Sequence, residues 1–87
     1  VSVTRILVVE PDKSQRNFFA ETLEGAGFDV RTAPDGDVAL QATRAEGFDL
    51  LLTDLVIPGR SGLDLLRDLR SEQPETEVIV LTGAMRP

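Results

Sequence analysis

Three short apolar runs constrain this chain more than any other feature: Ile6-Leu7-Val8-Val9, Leu50-Leu51-Leu52 and Val78-Ile79-Val80-Leu81. A continuous apolar run of this length reads as a strand buried on both faces. A fourth strand, Phe28-Asp29-Val30-Arg31-Thr32, alternates and so has one more exposed face, as at a sheet edge. Between the strands lie helical patterns. Asp12 and Gln15 form a capping box, Gln15, Phe19, Leu23 and Ala26 then recur at helical spacing beside Phe18, and Gly25 and Gly27 stop the helix. Pro34-Asp35-Gly36 reads as a break, Val38 to Ala45 as a short Ala-rich helix ended by Gly47, and Phe48 to Thr53 as the strand that runs into Asp54. Ile57 to Arg60 is a loop. Ser61 and Asp64 open a helix with Leu65, Leu66 and Leu69 on one side, and Pro74 closes the last connection. Strands alternating with helices predict an α/β, doubly wound parallel sheet with helices on both faces.

A chain of 87 residues makes one small domain, residues 1–87. It contains no Cys, His or Trp, which excludes thiol catalysis, an imidazole base and zinc sites of the usual kind. Its formal charge of −6, with nine basic residues scattered singly, argues against direct binding of nucleic acid. No run is long and apolar enough to span a membrane and no signal peptide is legible, so the chain is expected to be soluble and cytoplasmic.

In open parallel sheets, ligands bind beyond the carboxyl ends of the strands. There the sequence places Glu10-Pro11-Asp12, Asp54 and Thr82-Gly83-Ala84. Clustered carboxylates repel one another, and a divalent cation relieves that conflict. Oxygen-only ligands suit Mg²⁺, which shares its shell with a phosphate. The chemistry suggested is an Asp nucleophile, Mg²⁺ and a phosphoryl group. Simpler roles stand beside this one: Asp12 as a helix cap, Thr82 as a satisfied strand-end hydroxyl. An Asp-nucleophile phosphatase of the haloacid-dehalogenase kind wants a second Asp two residues on, where Val56 stands, and no nucleotide-binding P-loop is present.

The segments Ile6 to Glu10, Leu50 to Gly62 and Val80 to Gly83, with Asp54 followed by Pro58 and Gly62, resemble receiver domains of bacterial two-component response regulators. Gly27 to Val30 and Gly36 to Leu40 match too, so the resemblance covers essentially the whole chain. It implies a flavodoxin-like receiver fold with strand order 2-1-3-4, the fifth strand absent. It further implies a signalling phosphoacceptor rather than an enzyme, with at most weak self-catalysed phosphotransfer and dephosphorylation. Asp54 would take a phosphoryl group from a histidine kinase or phosphotransfer protein. Glu10, Asp54 and the Val56 carbonyl would bind Mg²⁺, with Asp12 as a further candidate ligand, and Thr82 would bond a phosphoryl oxygen and switch position. A receiver-like interaction module that works without phosphorylation is the alternative.

Two departures stand out against that pattern. Pro11 occupies the position of a usual second acidic residue, which predicts weaker Mg²⁺ binding. Receivers also continue through a fourth helix, a fifth strand with its Lys and a fifth helix, whereas this sequence ends at Pro87 and its only Lys is Lys13. The strand Val78 to Leu81 would then be an uncovered edge, and Phe18 or Phe19 would lose a neighbour. A homodimer through that edge is the expectation.

Overall fold

The computed structural model describes residues 3–81. The elements follow in the order β1 (Arg5–Val9), α1 (Lys13–Gly25), β2 (Asp29–Ala33), α2 (Gly36–Ala45), β3 (Leu50–Asp54), α3 (Gly62–Glu72) and β4 (Glu77–Leu81). The strands form one sheet in the order β2-β1-β3-β4, and every neighbouring pair is parallel. This is the α/β topology read from the sequence.

Strand periodicity divides the core into two faces. Leu7, Val9 and Leu51 point to the side covered by α2 and α3, where they pack with Leu40, Leu65 and Leu69. Ile6, Val8 and Val30 point to the other side, against Phe19, Ala20 and Leu23 of α1. The second face is the less covered one. No residue of α1 is fully buried, and Ile79 and Leu81 of β4 remain 45% and 38% exposed. The apolar run of β4 is therefore a half-exposed edge among the described residues, the uncovered edge expected of it in this chain.

Caps fix the helix starts. Asp12 accepts from the Gln15 backbone N–H at 2.8 Å, and Ser61 accepts from that of Asp64 at 3.1 Å, as their spacing predicts. The helix read from Val38 instead begins at Gly36, because Asp35 accepts from the Val38 N–H at 2.8 Å and caps it. The Pro-Asp-Gly break is thus also a helix start. At the far end of α1, Gly27 takes φ +101°, which an L side chain rarely adopts, and its N–H satisfies the Glu24 carbonyl at 3.0 Å. The strand read from Phe48 starts at Leu50. Phe48 is buried beneath the Arg5 guanidinium, 5.2 Å from its ring centre.

Arg44 of α2 grips Glu72 of α3 with two hydrogen bonds of 2.8 Å. The bond from Arg44 holds the Glu72 carboxyl below the ordinary glutamate range. The stabilisation from this exposed pair is accordingly present at neutral pH and fades as pH falls through the range where Glu72 protonates. Among the described residues no helix is long and apolar enough to cross a membrane.

Candidate functional site

The parallel register brings the carboxylates together. Val9 pairs with Thr53, so Glu10 and Asp54 follow at the same level on neighbouring strands. Leu81 pairs with Asp54 from the other side. Glu10, Asp54, Phe19 and Leu81 line one small cleft at the carboxyl edge of the sheet.

Glu10 is only 6% exposed. Its Oε2 accepts from the Asp12 backbone N–H at 3.0 Å, so the turn through Pro11 folds back onto its own acidic residue. Arg16 closes that turn from above: one guanidinium nitrogen donates to the Glu10 and Pro11 carbonyls, each at 2.9 Å. Arg16 belongs to none of the sequence motifs above. The available signal was its place one turn into α1, from which a long side chain leans back towards the helix N-terminus.

Asp54 ends β3, and its Oδ1 accepts from the Leu55 N–H at 2.9 Å. The same N–H lies 2.9 Å from the Leu81 carbonyl, and the Leu55 carbonyl accepts from Gly62 at 3.0 Å. The carboxylate is thereby tied to the backbone that leaves β3 and to the first residue of α3. Gly62 is required by this closeness. A Cβ there would collide with the Asp54 carbonyl oxygen and come 3.1 Å from the Leu55 Cα. Gly62→Ala is expected to lower stability by about 1–3 kcal/mol. Gly47→Ala, where a Cβ meets nothing within 4 Å, should stay within about 0.5 kcal/mol. Urea denaturation of the two variants checks the contrast.

Of the remaining candidates, Asp12 is exposed and its side chain caps α1. Among the described residues no three of His, Cys, Asp or Glu converge as a metal-holding group, so Asp12 does not join Glu10 and Asp54 in one. Asp12→Ala is expected to cost about 1 kcal/mol through the lost cap, while Asp12→Asn keeps it. Thermal unfolding of both variants reads the difference. Val56 lies in the loop after Asp54 and is 80% exposed. Thr82 lies outside the described residues.

Two adjacent carboxylates with oxygen donors only fit the way Mg²⁺ is held, by one or two carboxylates with waters and a phosphate completing the shell. Glu10 and Asp54 are the residues here that suit it.

Acidic side chains at the ends of the two central strands, a Pro and a Gly at fixed distance beyond the second, and a 2-1-3-4 parallel sheet define a receiver module. The model of the response regulator receiver domain matches residues 6–86, and the chain belongs to that family. It is 37% identical over 79 residues to the response regulator receiver protein CpdR of Brucella abortus, covering 91% of this chain and 66% of that protein. It is 41% identical over 79 residues to the DNA-binding response regulator MtrA of Mycolicibacterium smegmatis, covering 91% of this chain and 34% of the relative. Among solved structures, a CheY-like receiver domain from Methylobacillus flagellatus superposes with a TM-score of 0.87 at 31% identity, covering 94% of this chain and 71% of the other. The response regulator TrrA of Thermotoga maritima, solved in complex with Mg²⁺-BeF, gives 0.86 at 31% identity, over 97% of this chain and 75% of the other.

Proposed function

We propose that this chain is a phosphoacceptor module of a two-component relay. Asp54 receives a phosphoryl group from a histidine kinase or phosphotransfer protein, and the change of charge there drives a conformational signal. The observation that carries the reading is that Asp54 and the buried Glu10 follow the paired residues Thr53 and Val9 and line one cleft, in a chain of the receiver family. In the reaction a carboxylate oxygen of Asp54 attacks phosphorus, the bond from phosphorus to the donor nitrogen breaks, and that nitrogen keeps the electron pair. Mg²⁺, held by Glu10 and Asp54 with the Val56 carbonyl that the resemblance adds, would offset the charge of the transferring group. The Leu55 N–H, donating to Oδ1, limits rotation of the acceptor carboxylate. The module is not a turnover enzyme in this reading, and it works in the cytoplasm. Intact-mass measurement after acetyl phosphate and Mg²⁺ tests it: one phosphoryl adduct supports the proposal, and none defeats it.

A second reading is an interaction module that works without phosphorylation. It is favoured by Pro11 at the usual acidic position and by Asp12 acting as a cap. The same mass measurement separates the two.

Self-association through β4 extends the proposal. Its outer edge is unpaired among the described residues, and the exposed Ile79 and Leu81 adjoin it. Sedimentation at micromolar concentration should give a dimer, and a well-folded monomer throughout would exclude it.

A further inference from the structure

The loop of residues 55–61 carries the chain away from Asp54, and one side chain joins it to two helices. Arg60 Nη1 donates to Asp68 Oδ2 of α3 at 2.9 Å. Its Nε faces Asp37 Oδ1 in the first turn of α2 at 3.7 Å. That separation is too long for a hydrogen bond, and the Nε is buried with no hydrogen-bond partner. The attraction to Asp37 is therefore Coulombic, and it acts on a nitrogen already withdrawn from water. The Arg60 side chain is 37% exposed and that of Asp37 61%, so the guanidinium is half-buried between the two helices with its Nε turned inward.

The backbone around Arg60 is fitted to the same two helices. The Gly36 N–H donates to the Pro58 carbonyl at 3.1 Å. A Cβ on Gly36 would collide with the Arg60 carbonyl oxygen. Gly59 takes φ +74°, and a Cβ there would lie 2.7 Å from the Asp37 carboxylate. The start of α2, the loop and α3 thus form one assembly, with Arg60 at its centre and Asp54 at its upstream end.

We propose that Arg60 is a positioning residue for Asp54. By bridging Asp37 and Asp68 it holds the loop in the arrangement where the Leu55 N–H orients the acceptor carboxylate and Gly62 holds the Leu55 carbonyl. This rests on the phosphoacceptor reading above. Arg60 touches no reacting atom. It acts through the backbone between itself and Asp54, so its loss should slow phosphoryl transfer without abolishing it.

The test uses the full chain with Arg60→Gln, Arg60→Lys, Asp37→Asn and Asp68→Asn. The rate of adduct formation with acetyl phosphate and Mg²⁺ is measured by mass, and amide hydrogen exchange at Leu55 to Gly59 by NMR. Arg60→Gln should slow adduct formation roughly tenfold and speed exchange in the loop, while the urea midpoint moves little. Asp68→Asn should reproduce more of this than Asp37→Asn, because its contact is a hydrogen bond. Lys, which cannot present a fork to two carboxylates, should restore only part of the rate. Wild-type rate and exchange in Arg60→Gln would overturn the proposal. So would a slowing that merely follows the unfolded fraction, with exchange raised across the whole chain. Failure of the wild-type chain itself to take a phosphoryl group defeats the phosphoacceptor reading instead, and the exchange data then decide whether the bridge holds the loop.

Discussion

Asp54→Asn is expected to abolish the phosphoryl adduct and every response to phosphodonor, while leaving the fold intact. Asn has nearly the same shape, and its amide oxygen can still accept from the Leu55 N–H that Asp54 Oδ1 engages at 2.9 Å. Stability should therefore change little. The chemistry changes entirely, because the amide is a poor nucleophile and the negative charge that would help hold Mg²⁺ is gone. Glu10→Gln should behave differently. It keeps the acceptor and its Oε still accepts from the Asp12 N–H, so the adduct should form but require more Mg²⁺. Circular dichroism together with intact mass separates the two variants: total loss at Asp54, a shifted Mg²⁺ dependence at Glu10.

Leu51→Ala is expected to have the largest effect on folding. Leu51 is fully buried in β3, between Leu7 and Val78 in register, in the cluster that packs beneath α2 and α3. Truncation removes buried apolar surface and leaves a cavity, for a cost of about 2–5 kcal/mol. Set against a total of about 5–15 kcal/mol for natural domains, and less for small ones, this leaves a marginal fold. The urea midpoint should fall sharply. Leu63→Ala, on the exposed side of α3, should shift stability by no more than about 0.5 kcal/mol. Equal losses in both variants would mean that the core does not lie where the sheet places it.

Much of this architecture was legible because local chemistry and long-range packing agree. Asp12 and Ser61 could be read as caps from their spacing alone, and both act as caps. The runs around Leu7 and Leu51 were legible as buried strands, and the order of elements left few topologies for a parallel sheet. Where the reading failed, one residue had two compatible roles. Pro34-Asp35-Gly36 looks like a turn, and the same Asp35 starts α2 through a bond to Val38 that spacing alone did not single out. The run Val78 to Leu81 reads both as a buried strand pattern and as an uncovered edge in this chain, and the edge reading holds: Ile79 and Leu81 are half-exposed among the described residues. Asp54 and Glu10 were singled out because strand ends in parallel sheets are where ligands bind, and the structure places both at one cleft. Arg16 and Arg60 were missed as members of the site's surroundings because their partners are backbone carbonyls and distant carboxylates. Such partners meet only after the helices have packed.

In the phosphoacceptor reading, Asp54 and no other residue takes the phosphoryl group. Tandem mass spectrometry of the wild-type chain after treatment with acetyl phosphate and Mg²⁺ decides this. A single phosphoryl group on the peptide containing Asp54, absent when Mg²⁺ is chelated, is the expected result. No adduct under conditions that fully modify another receiver domain, or an adduct on any residue other than Asp54, would contradict it.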